Sequence, residues 1–107
     1  MLIPNADRAF VDDAKLLNYC LDPLHLRGRN KARLFDELLG INRRNILILK
    51  NALLSAVTSN AASHGKGDMF GQRYVLDFEL VGPGGRGIVR SVWITLHGED
   101  FPRLTTC

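Results

Sequence analysis

Tyr74-Val75-Leu76-Asp77-Phe78-Glu79-Leu80-Val81-Gly82-Pro83-Gly84-Gly85-Arg86-Gly87-Ile88-Val89-Arg90-Ser91-Val92-Trp93-Ile94 is the stretch on which the reading of this 107-residue chain turns. In its first part Tyr74, Leu76, Phe78 and Leu80 alternate with Val75, Asp77, Glu79 and Val81, the two-residue period of a half-buried strand. Gly82 to Gly85 is a turn, because glycine and proline supply the backbone angles a tight reversal needs. A second strand follows over Ile88 to Leu96, rich in the β-branched residues Ile88, Val89, Val92, Ile94 and Thr95. Gly82, Gly84 and Gly87 also spell G-x-G-x-x-G. A dinucleotide site needs a helix after those glycines, because the pyrophosphate rests on that helix's N-terminus. Here a strand follows, so the glycines predict a hairpin.

Working back from that hairpin, Asn60 to Gly71 holds Gly65, Gly67 and Gly71 among Ser63, His64 and Asp68 and reads as a flexible connection. Before it the period changes to helical. Ile46, Leu49, Leu53, Leu54 and Val57 form one stripe, predicting a helix from about Arg43 to Ser59 with Asn42 as its cap. Phe35, Leu38 and Leu39 give a shorter helix from about Asn30 to Leu39, closed by Gly40. Leu16, Leu17, Cys20 and Leu21 give a first helix, capped by Asp12 or Asp13 and stopped at Asp22-Pro23. Met1 to Val11 reads as an extended arm with a short strand at Ala9–Val11. Working forward, a turn near His97 to Asp100 leads to a closing strand over Pro102 to Cys107. The expectation is one α+β domain over 1–107. Three N-terminal helices (about 12–59) pack on one face of a C-terminal antiparallel sheet (about 72–107) of three to four strands.

Composition excludes several classes. No apolar run approaches the roughly 20 residues of a membrane helix, so no membrane partner is expected. Met1 to Arg8 has a proline and charges and is not a signal peptide. The two cysteines, Cys20 and Cys107, lie far apart in sequence and read as free thiols of a reducing, cytoplasmic compartment. The histidines His25, His64 and His97 lack metal-ligand spacing. No G-x-S-x-G serine is present. No metal or other cofactor is expected. The net charge of +3 mildly favours acidic partners.

The segment from His25 to Arg33 carries the most chemistry. Arg27, Arg29, Lys31 and Arg33 crowd it without an acid and lead into a helix start. Free N–H groups at a helix start, with guanidinium and ammonium groups beside them, suit a phosphate. A histidine there can move protons near neutral pH. The plainer reading is a solvated basic turn. The second constellation is Arg90, Trp93, Arg103, Thr105 and Thr106. Arg90 and Trp93 have opposite parity on one strand, so their side chains should leave opposite faces, with Trp93 in the core.

Two stretches together resemble a known family. Leu16-Leu17-x-Tyr19 to Leu21, then His25-x-x-Gly28-x-x-Lys31-Ala32-Arg33-x-Phe35 and Gly40, resembles the helical half of an uncharacterised family of small bacterial toxin-like domains. Gly71-x-x-Tyr74, Val92-Trp93-Ile94 and Pro102-Arg103-Leu104-Thr105-Thr106 resemble the same family's sheet half. The helices-then-sheet order is similar to the barnase–EndoU–colicin–RelE superfamily of metal-independent ribonucleases. The resemblance implies a toxin domain that cleaves RNA, tRNA among the candidates, held in check by a small immunity or antitoxin protein. It implies His25, Lys31, Arg103, Thr105 and Thr106 as catalytic residues. Arg27, Arg29, Arg33 and Arg90 would bind phosphate. The chain departs from the pattern at Leu26, where the family leads one to expect proline, and relatives are expected to continue past position 107 with an aromatic residue. Two further readings stand beside this one: a non-catalytic antitoxin- or adaptor-like module docking by a sheet edge, and a domain that binds a phosphate ligand without catalysis.

Overall fold

The structure is a computed structural model that describes all 107 residues. Three helical segments precede a four-stranded antiparallel sheet. The segments are α1 (Asp13–Lys15), running straight into a π-helical turn at Leu16–Cys20, then α2 (Arg29–Leu39) and α3 (Ile46–Ser59). The strands are β1 (Ser63–Gly67), β2 (Gly71–Gly82), β3 (Gly85–Leu96) and β4 (Arg103–Thr106), hydrogen-bonded in that order.

The β2–β3 hairpin is the frame. Its register runs unbroken from Gly71↔Leu96 to Gly82↔Gly85. Tyr74, Leu76, Phe78 and Leu80 of β2 and Val89, Ser91 and Trp93 of β3 are buried under the helices. Asp77, Glu79, Arg86 and Arg90 occupy the opposite, exposed face. Trp93 is fully buried, and its indole N–H donates to Ser91 Oγ at 2.9 Å. Ser91 Oγ in turn donates to the Leu76 carbonyl at 3.0 Å, so the only buried polar side chain of the core is satisfied on both sides.

The helices follow the expected stripes with two refinements and one correction. Leu38, expected beside Phe35 and Leu39 on the buried face of α2, is 60% exposed, and Ala32 is buried in its place. Leu49, Leu53 and Val57 of α3 are fully buried, and Ile46 and Leu54 flank them. Asn42 begins that helix with a capping box: its side chain accepts from Arg44 N–H at 2.9 Å, while Asn45 Oδ1 accepts from Asn42 N–H at 2.8 Å. A 3-10 turn, Arg43–Asn45, therefore precedes α3. In the first helix the Leu21 N–H reaches back five residues to Leu16 O at 2.8 Å. That wider turn puts Leu16 and Leu21, five apart, on the same side with Cys20, and all three are buried.

Two further expectations fail. Asn60 to Gly71 is not a flexible connection throughout, because Ser63–Gly67 is strand β1, paired with β2 through Ser63↔Val75 and His64↔Tyr74. Its side chains are polar or absent, so its pairing with β2 rather than burial makes it a strand. The N-terminal arm is not extended throughout. Ala6–Arg8 forms a 3-10 turn, and only Phe10 pairs with a strand, by a single parallel bridge to Arg103.

The C-terminus of α2 sits on the hairpin tip without intervening side chains. Gly84 N–H donates to Leu39 O at 3.0 Å, and a Cβ on Gly82 would collide with that same carbonyl. Gly40 ends the helix at φ +68°, the left-handed angle that favours glycine. The G-x-G-x-x-G spelling is thus a packing motif of a β-hairpin.

Candidate functional site

The site grows from the entry to α2. His25 Nδ1 accepts the backbone N–H groups of Arg27 at 3.0 Å and Gly28 at 3.1 Å, and so closes the turn that launches the helix. Two donors on Nδ1 make it the unprotonated nitrogen. Nε2 then carries the ring proton and is left to donate to a ligand. The imidazole stands edge-on to Tyr19 with ring centroids 4.7 Å apart. Gly28 is required here, since a Cβ would strike the Tyr19 carbonyl oxygen.

With about 3.6 residues per turn, α2 turns Ala32, Phe35 and Leu39 into the core. Lys31, Leu34 and Leu38 fall on one flank and Arg33 on the other. On the first flank Lys31 Nζ donates to Thr106 Oγ1 at 3.3 Å, joining the helix to the end of β4. Beneath that contact lie Cys20 and Cys107, both buried and both free thiols. A hydrogen bond from the Cys107 side chain holds the Cys20 thiol down at about 7, against the opposing effect of burial and with help from Cys107 N–H and the charges of Lys31 and Lys15. The Cys107 thiol is pushed up by the same bond and by burial. On the second flank Arg33 joins Arg43 and Arg44 around a hollow of about 330 Å³ that also touches Asp36 and Asn42.

Of the expected site residues, the structure brings Lys31 and Thr106 together, with the free Arg27, Arg29 and Arg33 on the same helix and its entry. Others have different occupations. Arg103 forks onto Glu99 with two bonds of 2.7 Å and lies over the rings of Phe10 and Phe101, at 5.2 and 5.0 Å. Thr105 Oγ1 donates to the Val92 carbonyl at 2.9 Å. Arg90 forks onto Asp77 at 2.9 and 3.0 Å on the outer face of the sheet. Arg43 and Arg44 were not anticipated. An arginine pair directly after a helix cap was the available signal. The meeting of Cys20 and Cys107 had none.

Charge is distributed very unevenly. Of the 14 lysines and arginines, six hold ion pairs: Arg8, Lys50, Arg73, Arg86, Arg90 and Arg103. The other eight have no carboxylate partner, and six of those lie between Arg27 and Arg44: Arg27, Arg29, Lys31, Arg33, Arg43 and Arg44. The helical side therefore offers unpaired positive charge, whereas on the strands every charged side chain but Lys66 holds an ion pair. No group of three histidine, cysteine or carboxylate side chains comes together to hold a metal. No helix is long and apolar enough to cross a membrane.

No curated protein and no solved structure matches the chain. A family model does, from residue 2 to residue 107, that of a domain of unknown function, DUF6883. A match over nearly every residue of both the helical and the sheet halves places this protein in the DUF6883 family.

Proposed function

We propose that this protein binds RNA through the basic side of α2 and the approach to α3, and cuts it without a metal, as a cytoplasmic bacterial toxin of the ribonuclease type. The observation that carries the reading is the cluster of six unpaired cations between Arg27 and Arg44. Phosphate backbones bind such surfaces by releasing counterions. Resemblance to toxin domains supplies the reaction. Attack of a ribose 2′-hydroxyl on the adjacent phosphate needs a group to take its proton and a cation for the charge gathered on phosphorus. With Nδ1 held as an acceptor, His25 Nε2 carries the ring proton and donates to the charged phosphate, and Lys31, oriented by Thr106, supplies the cation. Water takes the 2′-hydroxyl proton and returns one to the leaving 5′-oxygen. Arg103, Thr105 and Arg90 enter as framework, since each is already engaged within the protein.

The test is purified protein against total RNA in excess chelator, with products examined for cyclic phosphate ends. Cleavage by the wild type, lost in His25→Ala and Lys31→Ala while both stay folded, supports the reading. Intact RNA at stoichiometric protein refutes cleavage. An RNA-binding domain alone remains if binding persists.

A further inference from the structure

We propose that the groove between α2 and the uncovered edge of β3 receives an extended strand from a partner protein, apolar at alternate positions and acidic at the end beside Lys31. The groove has a volume of about 590 Å³. One wall is the flank of α2 carrying Lys31, Leu34 and Leu38, the other is β3 from Gly85 to Val92, and Thr106 and Cys107 close one end.

The edge itself is the strongest argument. In an antiparallel ladder, successive residues aim their N–H and C=O groups alternately to the two sides. The Val92 carbonyl points toward β4, where Thr105 Oγ1 donates to it. The register of β3 on β2 is unbroken, so the backbone groups of Arg90, Ile88 and Arg86 point the same way. Strand β4 stops short of them, its last pair being Thr106↔Val92. Three N–H and three C=O groups are thus left unpaired along five residues, roughly 17 Å of strand. A bare edge is a template for another strand.

The side chains say what kind of strand. Leu34 is 47% exposed, Leu38 60% and Ile88 71%, an apolar lining that water covers poorly. Lys31 is the one cation of the groove without a carboxylate, because Arg86 and Arg90 already hold Glu79 and Asp77. A guest that pairs with β3 and turns alternate apolar side chains onto α2 would place an acid beside Lys31. A second copy of this chain fits less well. Antiparallel pairing centred on Ile88 would set Arg86 against Arg90 of the other copy, and like charges directly opposite destabilise a strand pair.

The test uses the full chain, isotope-labelled, with an acetylated and amidated peptide of glutamate followed by alternating valine and threonine. Ile88→Pro removes an edge N–H and no bond to β2, and Lys31→Glu reverses the exposed charge. We expect amide shifts confined to Arg86, Ile88, Arg90 and the facing side of α2. Affinity should fall about tenfold or more in each variant, the scale of about 1.4 kcal/mol. RNA binding should be unchanged in Ile88→Pro, which separates this edge from the RNA reading. Absence of shifts at millimolar peptide, equal binding by Lys31→Glu, or dimerisation of the free protein that Ile88→Pro abolishes would each overturn the proposal.

Discussion

Replacing Arg33, Arg43 and Arg44 together by glutamine tests the basic surface where it is densest. These three arginines surround one hollow and have no carboxylate partner. Each phosphate neutralised on a single strand contributes about 0.7 to the slope of log affinity against log salt. Six contacts put the wild-type slope near about −4, and three contacts near about −2. Between about 50 and 200 mM salt, affinity should then fall roughly 300-fold for the wild type and roughly 16-fold for the variant. The comparison that isolates location is Arg8, Arg86 and Arg90 changed to glutamine, which removes the same formal charge from residues already paired with Asp100, Glu79 and Asp77. That protein should keep the wild-type slope. Fluorescence anisotropy of a labelled, uncleavable oligonucleotide (2′-deoxy at every position) reads all three. Equal slopes in the two triple variants would refute the reasoning, because net charge alone would then account for binding.

Three further outcomes follow from the frame and the buried thiols. Ser91→Ala removes the acceptor of the Trp93 indole N–H and should destabilise the fold by about 2 kcal/mol, lowering Tm by roughly 10 °C on thermal denaturation, with a change in tryptophan emission. Asn42→Ala breaks the capping box ahead of α3 and should cost about 1 kcal/mol in urea unfolding, with no change in β-sheet signal. The cysteine pair gives the stability curve a definite sign. Cys20 titrates at about 7 when folded against 9.0 ordinarily, so stability should rise as pH climbs through that window. Cys107 is shifted the other way, so stability should fall once the unfolded chain's thiols ionise above it. Urea midpoints across this range, wild type against Cys107→Ala, check both limbs. The variant should lose the rise.

What the sequence discloses and what it conceals divides along physical lines. Strands β2 and β3 and helix α3 bury one face each, so their apolar residues recur at the period of the element, and Tyr74 to Leu80 or Leu49 to Val57 can be read directly. Strand β1 buries none of its own residues, so nothing in Ser63 to Gly67 repeats. Its existence depends on a neighbour's backbone. The same holds for the site. Arg27 to Arg33 is legible because its charges are contiguous. That Arg103 is engaged by Glu99 and two phenylalanines, or that Cys20 meets Cys107, depends on how the chain returns, which local pattern does not record.

The seating of α2 on the hairpin tip has a consequence for how variation in this protein should be interpreted. Leu39 and Gly40 press backbone to backbone against Gly82 and Gly84, leaving no room for a methyl group at Gly40, Gly82 or Gly84. A saturation scan would therefore show those positions refusing every replacement, a footprint that resembles a phosphate-binding loop. The intolerance would persist in a protein stripped of every ligand and would track melting temperature. Glycine constraint here is a gauge of how closely helix and hairpin are clamped, and that clamp sets the spacing of α2 and β3 at the end of the groove away from Thr106 and Cys107.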